Sequence, residues 1–163
     1  MAVAEIIGAA VGVLLLVVVA YLLVGGTLST AEIVVTAQKD LTAITDARLR
    51  TSLTISGVSA NATNHGIDIV AVNTGNEPIR DLLHLDAYSF NNSKVYTHYT
   101  YDATNTGTVT GTWSILNFQN DEIHRKQFDP GVTMTITLVY PGEEYPSDVL
   151  LVTSNGVSAA ANT

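Results

Sequence analysis

Hydrophobic residues dominate the start of the chain. An uncharged run of 19 residues extends from Ile6 to Val24, directly after Glu5. As a helix that rises about 1.5 Å per residue, this run is about 28 Å long, which matches the hydrocarbon thickness of a bilayer. The pattern predicts a helix that is apolar on every side and is covered either by lipid or by other protein helices.

Burial inside this chain or removal as a signal peptide would be alternatives for such a run. The rest of the chain forms one domain of ordinary size, which is too small to enclose a helix that is apolar all round. A secretory signal has a shorter apolar region behind basic residues, whereas no Lys or Arg precedes Lys39 and no A-x-A-like cleavage site follows at Gly25-Gly26. We therefore expect the segment to be retained in the working protein.

An amphipathic stretch follows the apolar run. Its apolar positions recur at spacings of three, four and three, which is helical periodicity, at Val34, Ala37, Leu41 and Ile44. We expect one long helix from about residue 3 to about residue 48, with Gly25-Gly26 as the point at which it could kink. Its second half would form a stalk.

After Arg50 the hydrophobic period changes to two, which predicts strands. Leu53, Ile55 and Ser59 alternate with polar residues, and further runs rich in strand-forming residues are separated by turn residues. These runs are Ile67–Ala71, Leu82–Phe90, Lys94–Tyr101, Thr112–Phe118, Val132–Tyr140 and Val149–Ser154.

Seven short strands at this spacing predict an α+β chain in which the N-terminal hydrophobic helix is followed by an antiparallel immunoglobulin-like β-sandwich. We place the helix and stalk in residues 1–50 and an extracytoplasmic β-domain in residues 51–163. Trp113 is the expected large core residue. The chain has no Cys, so the core alone must hold the domain together.

Charge divides the chain at the same place. Residues 1–51 hold four acids and three bases, whereas residues 52–163 hold eleven acids and four bases, a net charge of −7. A domain this acidic is unsuited to nucleic acid or anionic lipid headgroups, which require basic surfaces. Nucleic acid is therefore not an expected partner.

Motifs that carry enzyme chemistry are missing. The sequence contains no G-x-S-x-G, G-x-x-x-x-G-K, H-E-x-x-H or calcium-loop pattern, so we expect no enzymatic activity and no cofactor. His84, Asp86 and His98 could converge on a metal, but solvated side chains are the favoured interpretation. The same holds for calcium at the acidic pairs Asp121-Glu122 and Glu143-Glu144.

Two N-glycosylation sequons lie in predicted turns, at Asn61-Ala62-Thr63 and Asn91-Asn92-Ser93. They favour export of the β-domain. The bases nearest the helix, beginning at Lys39, favour the opposite orientation, but they lie at the limit of the range over which flanking charges act. We expect the domain to be outside the cell.

Glu5, in front of an uninterrupted apolar helix that continues into a stalk and a β-rich domain, resembles the class III pilin-like superfamily of type IV pilins, archaellins and their accessory relatives. The resemblance implies that the helix bundles into a filament core or anchors in the membrane, and that Glu5 helps to register or neutralise a neighbouring N-terminus. A carboxylate among apolar helices is costly unless paired, and the α-amino group of Met1 on an adjacent copy is a suitable partner. The alternative is that Glu5 lies at the membrane interface.

Within the superfamily, the layout is most similar to the membrane-anchored accessory archaellum proteins F and G, with archaellins and archaeal pilins close behind. The matching features are Met1–Gly26, the stalk, and a β-domain containing Val72-Asn73-Thr74-Gly75 and Phe128-Asp129-Pro130-Gly131-Val132. The chain departs from the pattern because no basic leader precedes the helix and the usual archaellin N-terminal sequence is absent. Either a leader has been removed, as in a mature filament subunit, or none was present, as in an unprocessed anchor.

The resemblance implies two functions. As an anchored archaellum component, the chain would hold its β-domain against the surface layer or neighbouring subunits. As a polymerising archaellin or pilin, it would pack its helix against copies of itself. The small-xxx-small segment from Gly8 to Gly12 suits close helix contact in either case.

Overall fold

The computed structural model describes residues 2–93, 95–104, 106–121, 124 and 127–163. Two compact units make up the chain, Met1–Ile44 and Thr45–Thr163. The second unit therefore includes the last turn and a half of the helix, whereas the domain boundary that we placed between residues 50 and 51 remains a prediction.

The predicted helix is confirmed as α1, Ala2–Arg50, with 49 residues. It continues through Gly25-Gly26 without interruption. The hydroxyls of Thr27 and Thr30 donate to the carbonyl oxygens of Val24 and Gly26, each at 2.9 Å, so both side chains are bonded within the helix at this point.

The described residues of the second unit contain eight strands, one more than the sequence predicted. They are β1 Leu53–Asn61, β2 Gly66–Asn73, β3 Asp86–Phe90, β4 Tyr96–Tyr101, β5 Thr112–Gln119, β6 Thr133–Val139, β7 Asp148–Val152 and β8 Ser158–Asn162. They form one sheet in the order β1-β2-β6-β5-β4-β3-β7-β8. The end strands β1 and β8 approach within 8 Å between Cα atoms, so the sheet folds over and encloses a core.

The α+β sandwich predicted from the alternating pattern is confirmed, with one departure. Strand neighbours pair antiparallel except β4 and β5, which pair parallel over a short stretch where Tyr101 lies beside Trp113. Through this pairing, β4 connects the half of the sheet formed by β1, β2, β6 and β5 with the half formed by β3, β7 and β8. Trp113 is only 1% exposed, as expected for the main core aromatic residue.

The alternation places apolar side chains on the inner face of the sheet. Ile69 of β2 lies opposite Ile136 of β6, and both are fully buried. On either side along the same face are the other buried members of these strands, Ile67, Ala71, Met134 and Leu138. This band of side chains is the centre of the core, and its burial is the main driving force for folding of the domain.

Two strand predictions need correction. The run Leu82–Phe90 is not one strand: Leu82–His84 is a 3₁₀ turn, and β3 begins only at Asp86. The turn buries Leu82 while Leu83 stays exposed, a pattern that local sequence period does not distinguish from a strand. The sequence also missed β8, because its alanines lack the β-branched residues that signal a strand. Lys94, predicted to begin β4, lies outside the described residues.

Candidate assembly surfaces

The apolar helix surface is the largest candidate site. Side chains from Val3 to Val24 are exposed around the whole circumference, and none of the most apolar 18-residue window is buried by the chain itself. By length and composition this helix is able to cross a membrane. A surface of this size must be covered by lipid or by protein in the working molecule.

One face of α1 carries a continuous stripe. Its members recur at spacings of three, four or seven residues, which brings them to the same side of the helix. They are Glu5, Gly8, Gly12, Val19, Leu23, Gly26, Thr30, Val34, Ala37, Leu41 and Ile44, and they are called the α1 stripe below. The stripe therefore joins the predicted small-residue segment to the apolar positions of the stalk.

No described residue packs against the glycines of the stripe. A Cβ added at Gly8, Gly12 or Gly26 would meet nothing within 4 Å. Because glycine in a helix interior costs about 1 kcal/mol relative to alanine, these positions weaken the isolated helix without any return within the chain. Close approach of another helix is a physical reason for them.

Charges in the stalk lie mainly, but not wholly, away from the stripe. Glu32, Lys39 and Asp46 are spaced by seven residues and lie on the opposite side of α1, whereas Asp40 lies beside the stripe and Arg48 continues its line. The stripe residues of the stalk are themselves uncharged and lie opposite a charged face.

The end of the helix is fastened by the two turns that the resemblance singled out. Asn73 is fully buried, and its Nδ2 donates to the carbonyl oxygens of Phe128 at 2.8 Å and Glu77 at 3.0 Å. Its own carbonyl oxygen accepts from Gly131 N at 2.8 Å. The Asn-Thr-Gly and Asp-Pro-Gly turns, distant in sequence, therefore form one hydrogen-bonded cluster.

This cluster reaches the last helical carbonyl. Asn76 N donates to Arg50 O at 2.8 Å, and Thr74 N donates to Ser52 O at 2.9 Å. Gly75 fits between them so tightly that an added Cβ would lie 2.6 Å from Arg50 O. The guanidinium of Arg50 also lies 3.7 Å from the Glu77 carboxylate.

A second fastening comes from the turn between β7 and β8. Arg48 donates to Gly156 O at 3.4 Å, and Asn155 Nδ2 donates to Thr51 Oγ1 at 2.7 Å. Thr51 in turn donates to Ala47 O at 2.8 Å. Residues 47–51 are thus held by backbone and side-chain bonds from two separate turns of the domain.

Exposed apolar residues on the domain include those at the β3–β4 hairpin tip. Tyr96 is 68% exposed, and it pairs in register with Phe90 across the tip. Val95, also exposed, precedes it. The hairpin tip therefore presents apolar and aromatic side chains to the solvent.

Both sequon asparagines have carboxylate partners. Asn61 Nδ2 donates to the Asp68 carboxylate at 3.1 and 3.2 Å, and Asn91 Nδ2 donates to Glu144 at 2.8 Å. Both asparagines are partly exposed, and Thr63 and Ser93 are exposed. A glycan replaces one of the two amide hydrogens, so either asparagine would keep one N–H for its carboxylate.

The three residues considered for a metal are not brought together as one group. His98 Nε2 lies 3.2 Å from Asp86, but His84 pairs with Asp81 instead, at 2.7 Å. The hydrogen bond to Asp81 raises the pKa of His84. Among the described residues, no group of three or more His, Asp or Glu side chains is arranged to hold a metal ion. Glu122 of the pair Asp121-Glu122 lies outside the described residues.

The sequence predicted a turn after β4 but did not single out its hydrogen-bonded carboxylate. Asp102 is nearly buried, and its carboxylate accepts from Thr104 N at 2.9 Å and Thr104 Oγ1 at 2.5 Å, and from Thr106 Oγ1 at 2.9 Å. These bonds, that of the Thr104 hydroxyl first, lower the pKa of Asp102. The Asp-x-Thr-x-Thr spacing was the available signal, since Asp favours such local turns.

Comparisons with known proteins give likeness of fold only. No protein-family model matches the sequence, and no characterised protein matches it by sequence similarity. Among solved structures, the archaeal flagellum of Methanospirillum hungatei matches over 95% of this chain and 90% of that chain, with a TM-score of 0.66 and 16% identity.

Two structures from Sulfolobus acidocaldarius also match. The archaellum periplasmic stator protein FlaG matches over 69% of this chain and 99% of that chain at 20% identity, and the stator complex of FlaF and FlaG over 68% and 87% at 16% identity. Both have a TM-score of 0.50. The predicted combination of helix and β-domain is therefore a fold found in archaellum structures.

Proposed function

We propose that this chain is a non-enzymatic structural component of an archaellum-type assembly at the archaeal cell surface. The observation that carries the proposal is the α1 stripe: an exposed apolar helix face whose glycines contact nothing within 4 Å, in a chain that continues into a β-domain. The fold likeness to an archaellum filament and to periplasmic stator proteins supports the same assignment.

The length of the helix favours polymerisation through copies of itself. A helix of 49 residues is about 73 Å long, whereas a bilayer core takes up about 20 residues. The stripe continues beyond that length through Val34, Leu41 and Ile44, where lipid would not cover it. The filament likeness extends over 95% of the chain, which includes the helix. Copies packed along the stripe would bury it from Gly8 to Ile44.

Membrane anchoring is the second candidate function. The 19 residues from Ile6 to Val24 match a single bilayer crossing, and the likeness to the stator proteins supports a domain that faces the cell envelope. In this arrangement the β-domain would bind the surface layer or another archaellum protein, and the hairpin tip around Tyr96 is its most exposed aromatic surface.

Electron microscopy of the purified full chain tests the first candidate against the second. Filament formation on removal of detergent is the result expected for a polymerising subunit. Dispersed particles that stay bound to detergent or vesicles, together with capture of purified surface-layer protein, would instead support the anchor. Dispersed, lipid-free particles that capture nothing would contradict both.

Glu5 has a distinct role in the polymerising arrangement. Its place on the stripe would put a carboxylate among apolar helices, where an ionic partner is required. We assign this partner to the α-amino group of Met1 on a neighbouring copy; Met1 lies outside the described residues. Replacing Glu5 by Ala should reduce filament yield, whereas Glu32→Ala on the opposite face should not. Normal filaments from the Glu5 variant would refute the role.

Asn61 and Asn91 are proposed as glycan acceptors of an exported domain. Mass spectrometry of the chain purified from an archaeal host should find a glycan that is lost from the corresponding Asn→Gln variant. Unmodified peptides at both positions would show that neither asparagine carries a glycan and would contradict this proposal.

A further inference from the structure

Two fully buried hydroxyls lie outside the hydrophobic core. Ser114 of β5 and Thr137 of β6 are opposite each other in the sheet register, and both have no exposed surface. Their neighbours Trp113 and Leu138 face the core, so by the alternation of strands these two hydroxyl groups are on the other face of the sheet. Neither hydroxyl has a hydrogen-bond partner among the described residues.

Two glycines cover this pair. A Cβ added at Gly107 would lie 2.9 Å from Thr137 Cγ2 and 3.3 Å from Ser114 Oγ, and one added at Gly66 would lie 3.2 Å from Thr137 Oγ1. Gly107 also has a φ of +62°, a backbone conformation that glycine adopts at little cost. The backbone therefore closes over the hydroxyls at a distance that leaves no room for a side chain.

Further polar groups line the same place. The position of a Gly66 Cβ is 2.8 Å from Leu138 O, and that of a Gly107 Cβ is 3.6 Å from Asn64 Nδ2. One carbonyl, one amide and two hydroxyls thus lie close to these two glycines. A buried water molecule usually has two to four such partners.

Unpaired buried hydroxyls are costly, and in folded proteins such groups are normally satisfied by protein or by ordered water. None of the four polar groups is charged. Two carboxylates lie nearby, and both are already engaged. Asp68, the register partner of Thr137 on β2, accepts from Asn61 Nδ2 at 3.1 and 3.2 Å, and Asp102 accepts from Thr104 and Thr106. The groups therefore suit a small neutral ligand with both donors and acceptors, rather than a metal ion.

We propose that Ser114 and Thr137 bind a single buried water molecule beneath Gly107, which fastens the turn around Gly107 to the outer face of β5 and β6. The water donates to Leu138 O or a hydroxyl oxygen and accepts from the remaining hydroxyl or from Asn64. The site is independent of the helix, and it does not rest on the proposed function.

A high-resolution structure of the full chain, with unfolding measurements on variants, tests the site. The expected result is a density peak within hydrogen-bonding distance of Ser114 Oγ and Thr137 Oγ1. Thr137→Val should remove the peak and raise the unfolding equilibrium constant about fivefold, and Ser114→Ala should act similarly. The unfolding equilibrium constant of the double variant should be close to that of either single variant, because the loss of one hydroxyl already releases the water.

Thr137→Ser keeps the hydroxyl and should keep the density peak of the water. This variant tests the role of the hydroxyl even if Thr137→Val fails to fold. Thr135→Val, on the same strand and face, is the matched control and should leave the peak in place. Absence of the peak in the unaltered chain would overturn the proposal. So would a Thr137→Val variant as stable as the original, because removing an unsatisfied hydroxyl is neutral or favourable.

Discussion

At the scale of single residues, the identity of a few small and polar side chains decides how the domain closes on the helix end. The Asn73 side chain donates to the carbonyl oxygens of Glu77 and Phe128 and accepts from Gly75 N, so it joins the turn after β2 to the turn at Phe128. Neither role follows from hydropathy. Their sequence signal was the Asn-Thr-Gly turn, which the structure brings against the Asp-Pro-Gly turn.

Gly75→Ala should destabilise the domain by about 1–3 kcal/mol, because the new Cβ would meet the backbone atoms Ser52 N at 2.5 Å and Arg50 O at 2.6 Å. Chemical denaturation of the full chain, followed by the fluorescence of Trp113, measures the change. Gly57→Ala is the matched control in β1, where a Cβ meets nothing within 4 Å. Equal denaturation midpoints for the two variants would contradict the tight fit at Gly75.

Asp102 predicts a dependence of stability on pH. Its pKa is lowered in the folded chain by the Thr104 and Thr106 bonds, so its contribution is present above the ordinary Asp pKa. The contribution is lost as pH falls below about 4 and through the folded-state value. Denaturation midpoints from neutral to acid pH should therefore fall less steeply for Asp102→Asn than for the original chain.

Glu143→Gln, which neutralises an exposed carboxylate, is the control for loss of one negative charge. If Asp102→Asn and Glu143→Gln gave the same pH profile, the turn bonds would have no special part in acid stability.

At the scale of elements, α1 differs from the strands in where its partners lie. Each strand finds its apolar partners within the domain, and β2 and β6 bury theirs completely. The described residues of the first unit all belong to α1 itself. That unit therefore offers the apolar stripe no other element to pack against. The period of the helix could be read from sequence, but the glycine positions gained meaning only once the structure showed that none of the described residues packs on them.

Gly12→Leu should therefore weaken association of the chain with itself, because a large side chain on the stripe prevents close helix approach. Ala10→Leu places the same bulk on the opposite side of α1 and is the matched control. Filament length by electron microscopy, or oligomer size by sedimentation in detergent, gives the readout. Equal assembly of both variants would show that the stripe is not the contact face.

At the scale of the whole molecule, the compact unit Thr45–Thr163 includes the end of α1. The last part of α1 belongs to it through Arg48, Arg50 and Thr51, whose bonds reach two turns of the domain. Within this unit, the last residues of α1 are therefore joined to the β-domain through hydrogen bonds as well as through the covalent chain.

A fragment of residues 45–163 should accordingly unfold at a higher temperature than a fragment of residues 51–163, which lacks Arg48 and the Arg50 carbonyl. A difference of about 1–2 kcal/mol is expected for the loss of two hydrogen bonds. Calorimetry on both fragments measures it. Identical transitions would favour the boundary that the sequence suggested.

The sequence alone determined the long helix, most of the strands and the buried position of Trp113, because local periods of 3.6 and 2 directly encode which side of an element is apolar. It did not determine the 3₁₀ turn at Leu82, the alanine strand β8 or the parallel contact of β4 with β5, because these depend on neighbours distant in the chain. The candidate sites divide in the same way. Glu5, Gly8 and Gly12, proposed for assembly, stood out in sequence, whereas the Asn73 cluster and the Ser114–Thr137 pair arise only when separate turns and strands meet. Local pattern sets each element, and long-range packing decides which polar groups are buried together.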